Sequence, residues 1–397
     1  QPDLPARITP QDVDSGTKNE AVFAMLEFDV LENLTLTAEG RQAEDTIHTG
    51  GRSVFSKTSN TGFMPGSFSS GCAVVNAPIA GSPNRQILTC ANQYVNDSSF
   101  KNFLPRFTAT WLASDTLTYY AQYAKGNKPG GFNTDAENAR IQPADRAALA
   151  TLGLRSFDEE EADSFEIGFK SRLFDRRVQL NTALYLIDWT NQQLTQTGPV
   201  LEEGRPVGAP TQPQFGTSYT ANLGKSEVRG VEMEMLAALG PHWNLRMTYA
   251  YQDAKIKEYF SSDQADLIFS GPYTGCIAGS QCYADYLAAG DLGGNVLPRV
   301  PKHLASASLA AKYPLGSWGT FNWRADYSYE ASRYVQVHNL AETGDAHVVN
   351  MRLGIERDAW SATLWVNNLT DDDTVIDVMR TVNPGVFLVV PVQPPLP

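Results

Sequence analysis

Apolar and polar residues alternate along most of this 397-residue chain. In segment 243–252, tryptophan, leucine, methionine and two tyrosines occupy every second position, with asparagine, arginine, threonine, alanine and glutamine between them. Segments 165–170, 323–330 and 349–356 follow the same pattern. A period of two is the pattern of a β-strand with one apolar face. The pattern therefore predicts an all-β fold.

The connections between the predicted strands are of two kinds. Segments 174–177, 239–242, 314–318 and 356–360 are short and polar, which indicates hairpin turns, whereas the intervening connections are long and rich in Gly, Asn, Asp, Pro and Ser. Short turns at one end and long loops at the other are typical of a transmembrane antiparallel up-and-down β-barrel. About twelve strands are predicted, near residues 20–31, 33–47, 101–113, 115–126, 162–174, 176–195, 217–239, 242–260, 302–314, 317–336, 346–357 and 359–369.

The alternation also assigns the two faces of each strand. Tyr119, Leu245 and Leu353 are predicted to face lipid, with aromatic residues at the membrane interface. The opposite face carries charges of both signs, which either line a wet or plugged lumen or pair across neighbouring strands. The predicted lumen charges are Glu166, Lys170, Glu232, Glu234, Arg246, Arg324, Asp326 and Arg352.

Composition narrows the functional classes. Charged residues make up 19% of the chain and the net charge is −13, so the surface lacks the basic balance that nucleic-acid binding requires. No apolar run approaches the roughly 18 residues of a transmembrane helix. The five histidines are scattered, without a catalytic triad or metal-ligand spacing, so we predict no enzymatic activity, cofactor or metal site.

The four cysteines form two local pairs in loop-like segments. Cys72 and Cys90 bracket one such segment, and Cys276 and Cys282 bracket another. Buried free thiols are the alternative, but polar loop neighbours favour two disulfides, and hence an oxidising compartment.

Several segments in order along the chain resemble the barrel of TonB-dependent outer-membrane receptors. They are VFAMLEFDVLENLTLTAEGR at 22–41, LTYYAQYAKGNKPGGFN at 117–133, EEADSFEIGFKSRLFDRRVQLNTALYLIDWTNQQ at 160–193, NLGKSEVRGVEMEM at 222–235, LPRVPKH at 297–303 and LWVNNLTDDD at 364–373. The resemblance implies that residues 1–397 are the latter part of a 22-stranded barrel in the outer membrane of a Gram-negative bacterium. We expect the plug domain, the early strands and the closing strand to lie outside this chain, so the sheet would pair with those segments or with a second chain.

The resemblance implies energised uptake of a scarce solute, with TonB acting through the missing plug. A ferric siderophore is the expected substrate; a glycan, cobalamin or an aromatic compound remains open, as does a passive outer-membrane porin. Expected partners are outer-membrane lipid and a small-molecule substrate, and no nucleic acid. Substrate contacts are predicted, from position near the long loops, at Tyr123, Lys125, Asn127, Lys128, Phe132, Asn191, Gln192, Gln193 and Tyr334.

Overall fold

A computed structural model describes most of the chain. The described residues are 7–151, 153–201, 203–204, 207, 214–261, 264–265, 281–383 and 386–392. None of the helices in these ranges is both long and apolar enough to span a membrane.

Strands dominate the described residues. They are β1 Arg7–Leu31, β2 Leu34–Ser59, β3 Cys72–Asn76, β4 Gln86–Ser114, β5 Leu117–Lys128, β6 Gly131–Phe132, β7 Ser156–Phe157, β8 Glu160–Leu173, β9 Val178–Leu201, β10 Gln214–Ala238, β11 Trp243–Tyr259, β12 His303–Pro314, β13 Thr320–Glu330, β14 Ala346–Arg357, β15 Trp360–Val366, β16 Asp377–Asn383 and β17 Val386–Val392. The helices are α1 Pro143–Thr151, α2 Gln281–Gly290 and the 3-10 turns Thr134–Glu137 and Gly316–Trp318.

One antiparallel sheet contains the twelve strands that the sequence predicts. Its order is β1-β2-β4-β5-β8-β9-β10-β11-β12-β13-β14-β15, with the short strand β3 added beside β4. Each long strand pairs with the next long strand along the chain, which is the up-and-down topology expected of a barrel wall. Within the described residues, β1 and β15 do not pair with each other, so barrel closure is not observed.

The short and long connections lie at opposite ends of the sheet, as predicted. The strand limits near the long loops differ from the prediction, because β2 continues to Ser59 and β4 begins at Gln86. Segments predicted as loop between residues 50 and 100 are therefore partly strand. Beyond the membrane no face of these strands meets lipid, and buried residues such as Phe55 and Leu88 pack against loop residues instead, so the lipid-facing alternation does not continue there.

The apolar face is continuous across the sheet. Tyr119 lies opposite Trp111 on one side and Phe169 on the other, with ring centroids 5.6 and 6.3 Å apart. Further along, Leu353 lies opposite Leu364 in β15. The predicted lipid-facing residues thus share one face, and the exposed fraction of Tyr119 is 41%. An uninterrupted apolar surface of this kind is suited to contact with lipid chains.

A glycine on the polar face makes room for a tyrosine. Gly168 in β8 lies opposite Tyr120 in β5. A side chain at Gly168 would meet the carbonyl oxygen of Thr182 at 2.6 Å and the Tyr120 ring at 2.7 Å. The EIGFK segment therefore contains a glycine at a position where the ring and the neighbouring backbone leave no space.

We expect Gly168→Ala to destabilise the sheet, because the added methyl group displaces the Tyr120 ring or the Thr182 carbonyl. Overpacking of this kind costs about 1–3 kcal/mol, which a urea titration of the detergent-solubilised protein measures. Gly126→Ala in β5 is the matched control, since a side chain there meets no atom within 4 Å. Equal destabilisation by both variants would contradict the packing explanation.

Candidate functional site

The polar face of the sheet carries all of the predicted lumen charges. The register aligns Glu166 with Gln122, and Lys170 with Asn181. In the second half of the sheet, Arg324 lies directly opposite Arg352. The same alternation places Glu232, Glu234, Arg246 and Asp326 on this face.

Tyr120 contacts two of the charged side chains on the polar face, Glu166 and Lys170. Its hydroxyl donates a hydrogen bond of 2.6 Å to Glu166 Oε1, and the Lys170 ammonium lies 5.7 Å from its ring centroid. Glu232 and Glu234 line the same groove as Tyr120 and Lys170. Three carboxylates and one ammonium therefore make this region of the wall acidic.

The end of the sheet that carries the long loops is here called the outer rim. The glycine-rich segment after β5 lies against it. A side chain at Gly130 would collide with the carbonyl oxygen of Phe157 and with the Phe100 ring, and one at Gly131 would meet the Phe157 ring at 2.7 Å. The glycines of KPGGFN thus let the chain turn close to neighbouring backbone. This explains why the alternating strand gives way to that motif.

Two amide side chains, Asn133 and Gln193, fix this turn to neighbouring segments. Asn133 donates hydrogen bonds to the carbonyls of Leu154 at 3.0 Å and Thr220 at 2.7 Å, and it accepts one from the Thr220 amide at 2.7 Å. Gln193 donates to the Pro129 carbonyl at 2.9 Å. Because amides both donate and accept, they satisfy backbone groups that no strand pairing covers.

Asn222 makes the most extensive of these contacts. Its Nδ2 donates to the carbonyls of Asp158 at 2.8 Å and Asn191 at 2.9 Å, and its Oδ1 accepts from the Asp158 amide at 2.6 Å. Asn222 and Asn133 were not among the predicted site residues. Their presence in the family-like segments NLGKSEV and KPGGFN was the available signal.

Several segments joined by a disulfide and by hydrogen bonds, here called the outer cap, extend beyond the rim. The outer cap comprises residues 60–85, 133–151, 153–155, 203–204 and 207. Cys72 in β3 lies opposite Cys90 in β4 and forms a disulfide with it, which confirms that prediction. Cys282 is also disulfide-bonded, while its predicted partner Cys276 lies outside the described residues. Beside the first disulfide, Phe55, Phe63 and Leu88 form a buried apolar cluster.

Backbone hydrogen bonds join the parts of the outer cap. The Glu203 amide donates to the Arg140 carbonyl at 2.8 Å, and the Gly204 amide donates to the Ser67 carbonyl at 2.9 Å. The Val207 amide donates to the Gly62 carbonyl at 2.9 Å. Segments far apart in the sequence are therefore held in one arrangement above the rim.

Glu203 places a carboxylate inside the outer cap. Its side chain is buried, one oxygen accepts the Ser69 amide at 3.1 Å, and the other has no hydrogen-bond partner in the described part of the chain. Burial raises the pKa of the Glu203 carboxyl, against the opposing effects of the Ser69 hydrogen bonds and the Arg146 charge. The Cys72 and Cys90 sulfurs lie close to this carboxylate, but the disulfide removes them as metal ligands.

The predicted substrate residues fall into two groups. Most of them already have a partner within the sheet or at its outer rim. On β5, Tyr123 donates to Asp163 at 2.6 Å, Lys125 pairs with Glu161 at 2.9 Å and Asn127 donates to Glu159 at 3.4 Å. On β9, Gln192 accepts from Ser226 at 2.7 Å, and Gln193 donates to the carbonyls of Pro129 and Asp158. Tyr123 also shares the apolar face with Phe107 and Phe165, at centroid distances of 6.4 and 5.1 Å.

The remaining candidates have side chains available to a ligand. Lys128, Phe132, Asn191 and Tyr334 form no side-chain hydrogen bond or ion pair with the described residues. Lys128 lies opposite Glu160 at the outer end of β5, on the polar face of that strand. The role of both groups in substrate binding stays a prediction.

Comparison with known proteins identifies the family. The profile of the family described as "TonB dependent receptor-like, beta-barrel" matches residues 1–369. The chain belongs to this family. Its members are outer-membrane proteins, so the apolar face of this receptor segment is the surface that contacts the outer membrane.

Individual relatives are distant. The chain is 23% identical over 211 residues to the probable TonB-dependent siderophore receptor PiuA of Acinetobacter baumannii, a match that covers 53% of the chain and 22% of PiuA. It is 22% identical over 197 residues to the ferripyoverdine receptor of Pseudomonas aeruginosa, covering 48% of the chain and 21% of that receptor.

Among solved structures, the ferric yersiniabactin uptake receptor FyuA of Yersinia pestis has the same barrel architecture. The TM-score is 0.63 at 15% identity, over 96% of this chain and 44% of FyuA. This likeness supports the fold. The chain therefore spans less than half of that receptor, and about a fifth of each curated relative is matched.

We expect Asn222→Asp to loosen the outer rim, because a carboxylate facing two carbonyl oxygens repels them and cannot donate hydrogen bonds. Limited proteolysis within residues 134–157 should accelerate by about tenfold, as loss of hydrogen bonds worth about 1.5 kcal/mol implies. Asn244→Asp is the control, because Asn244 is exposed on the polar face near a short turn. An unchanged cleavage rate in Asn222→Asp would contradict the conclusion that the Asn222 hydrogen bonds hold the outer rim together.

We also expect the outer cap to be more stable at acidic than at neutral pH. The pKa of Glu203 is raised in the folded cap, so its contribution is present below the unfolded pKa of about 4.3 and is lost as pH rises through the folded value. Hydrogen exchange of residues 60–85 between pH 5 and 8 measures this, after correction for intrinsic rates. Glu203→Gln should flatten the dependence, whereas Glu342→Gln at an exposed outer position should leave it unchanged.

Proposed function

We propose that this chain is part of a TonB-dependent receptor that takes up a ferric siderophore across the outer membrane. The family match over residues 1–369 carries the proposal. The curated relatives named above are described as siderophore receptors, which supports the substrate class. TonB would act through a plug domain outside this chain, and the remaining receptor segments or a second chain would complete the barrel.

The outer cap and rim suit the capture of a solute at the cell surface. A cap held by a disulfide and by hydrogen bonds loses little conformational entropy on binding, so contact energy is available for affinity. Lys128 and Phe132 beside β5, and Tyr334 after β13, offer a cation and two aromatic rings at the long-loop end of the sheet, side-chain types that suit a polar, partly aromatic iron chelate. We propose these three as substrate contacts, and Gln192 and Gln193 as residues that hold the rim in place.

A passive porin is the alternative from a different class. Such a protein would conduct ions without TonB and would show a large, steady conductance in planar bilayers. The outer cap, which is held by a disulfide and by backbone hydrogen bonds, favours a receptor over an open pore. Uptake of a glycan, cobalamin or an aromatic compound would keep the TonB requirement and change only the growth substrate.

A growth experiment tests the proposal. In a strain that lacks the chromosomal copy, the full-length gene should restore iron-limited growth on at least one supplied ferric siderophore, and deletion of tonB should abolish that growth. TonB-independent growth together with steady conductance would favour the porin. TonB-dependent growth on a glycan or cobalamin alone would replace the siderophore assignment.

We expect Phe132→Ala and Tyr334→Ala to weaken binding of the transported siderophore about tenfold each, since burial of an aromatic ring contributes about 1–3 kcal/mol. Their urea midpoints should stay near that of the wild type. Gln193→Ala should instead lower the midpoint, because the Pro129 and Asp158 carbonyls lose their donor. If Gln193→Ala weakened siderophore binding while Phe132→Ala and Tyr334→Ala lowered the urea midpoint, the proposed roles of these residues would be wrong.

A further inference from the structure

The apolar face of the sheet carries a lysine and a histidine at its outer end. Tyr251 is the ninth residue of β11, which begins at a short turn, and its side chain lies on the same face as that of Leu245. About 9–11 strand residues cross the hydrocarbon layer, so Tyr251 lies at the outer interface of the membrane. His303, the first residue of β12, lies directly opposite Tyr251, and Lys302 immediately precedes it.

This surface lies outside the lumen. β11 and β12 are paired on both sides, in the order β10-β11-β12-β13, so no additional strand enters the sheet here. A plug domain would occupy the lumen, which is bounded by the opposite face of the sheet. Lipid is therefore the occupant of this surface, because the apolar face is the one that contacts the outer membrane.

Two tyrosines hold the His303 ring. The hydroxyl of Tyr249 and Nδ1 of His303 form a hydrogen bond of 2.9 Å, and the Tyr251 ring packs against the imidazole at a centroid distance of 5.3 Å. With the Tyr249 hydroxyl as donor, Nδ1 accepts and a neutral imidazole carries its proton on Nε2. Nε2 then offers an N–H group, and it has no hydrogen-bond partner in the described part of the chain.

Lys302 places an ammonium group beside the same tyrosine. Its Nζ atom lies 5.7 Å from the Tyr251 ring centroid. Lys302 is exposed and forms no ion pair with any residue in the described ranges. Long basic side chains lay their stems along apolar surface and extend the charged group towards water, which at this depth means the level of the lipid headgroups. The Tyr251 ring therefore has both a cation and an imidazole N–H group next to it.

The neighbouring carboxylates are paired with other cations. β12 contains no acidic residue. The next acidic residue along β11, Asp253, forms an ion pair with Lys255 at 3.4 Å. At the outer end of β13, Glu330 pairs with Arg333. An anion supplied by the membrane is therefore the complementary ligand for Lys302.

We propose that Tyr251, Lys302 and His303 bind the phosphate group of an outer-leaflet lipid, and we call these three residues the phosphate site. The Lys302 ammonium and the His303 Nε2–H donate to phosphate oxygens, and such charge-assisted hydrogen bonds are about twice as strong as neutral ones. The acyl chains of the same lipid lie along the apolar face below, against Tyr249 and Leu245. The proposal goes beyond the uptake function and depends neither on TonB nor on iron.

Lipid binding to the full-length detergent-solubilised receptor tests the proposal. Diphosphoryl lipid A should bind saturably, as read by native mass spectrometry. Lys302→Gln and His303→Phe should each weaken this binding by about tenfold, as loss of one hydrogen bond to a charged group implies. His303→Phe keeps a ring against Tyr251 and removes only the donor, and Lys302→Arg should bind as the wild type does because it keeps the charge.

Lys101→Gln is the matched control. Lys101 is also an exposed lysine, on the face of β4 that carries Phe107, but it is paired with Glu44 at 3.5 Å. This variant should bind lipid A as the wild type does. Equal loss of binding in Lys101→Gln, or unchanged binding in both Lys302→Gln and His303→Phe, would overturn the site.

Two further ligands separate the phosphate from the rest of the lipid. Lipid A from which both phosphates have been removed should bind about tenfold more weakly or less. Inorganic phosphate should also bind more weakly than lipid A, because it lacks the acyl chains that contact the apolar face. Equal binding of the dephosphorylated lipid would overturn the role of the phosphate, and tighter binding of inorganic phosphate would overturn the lipid as the ligand.

Acetylation checks whether the phosphate site is open in the native receptor. An acetyl N-hydroxysuccinimide ester should modify Lys302 in the lipid-free protein, and lipid A should protect it in a concentration-dependent manner, as read by peptide mass spectrometry. A Lys302 that stays unmodified without lipid A would mean that polypeptide covers the site, and would overturn the proposal. None of these outcomes bears on iron-limited growth, so the uptake function is tested separately.

Discussion

Backbone hydrogen bonding between neighbouring strands is the constraint on which the rest of this structure depends. In lipid each unpaired amide or carbonyl is costly, so a spanning wall must satisfy all of them within the sheet. The up-and-down order meets this requirement along the sheet, because each long strand pairs with the next along the chain. Each side chain of a strand then points to one face of the sheet or to the other. One face is apolar for lipid, and the other is free to carry Glu166, Lys170 and Arg324.

The sequence predicted the features that depend on the division of the sheet into an apolar and a polar face. All twelve long strands and the two faces follow from a period of two, which Tyr119 and Tyr120 illustrate on opposite sides of one strand, and the four predicted hairpin turns follow from short polar breaks between strands. The strand ends near the long loops, such as Ser59, were not predictable in this way. Outside the membrane the outer ends of β2 and β4 pack against loops through residues such as Phe55 and Leu88, so no lipid-facing pattern marks where these strands end.

The outer rim shows why individual site residues resist prediction. Gln192 and Gln193 were recognised from their position near a long loop, but their hydrogen bonds depend on how separate segments meet in space. Asn133 likewise joins the glycine-rich turn to β10, 87 residues further along the chain. The disulfide Cys72–Cys90 was predictable because it is local. Contacts between distant loops leave no periodic signal in the sequence.

The unequal heights of the strands have a consequence for where a solute first meets the protein. β4 contains 29 residues, whereas about 9–11 suffice to cross the hydrocarbon layer. At about 3.3 Å per residue and a tilt near 40°, its upper end stands roughly 40 Å above the lipid. This side of the sheet therefore extends far beyond the hydrocarbon layer, whereas β13, with 11 residues, is only about long enough to cross it. Molecules arriving from the medium would therefore encounter the outer end of β4 before they reach the membrane.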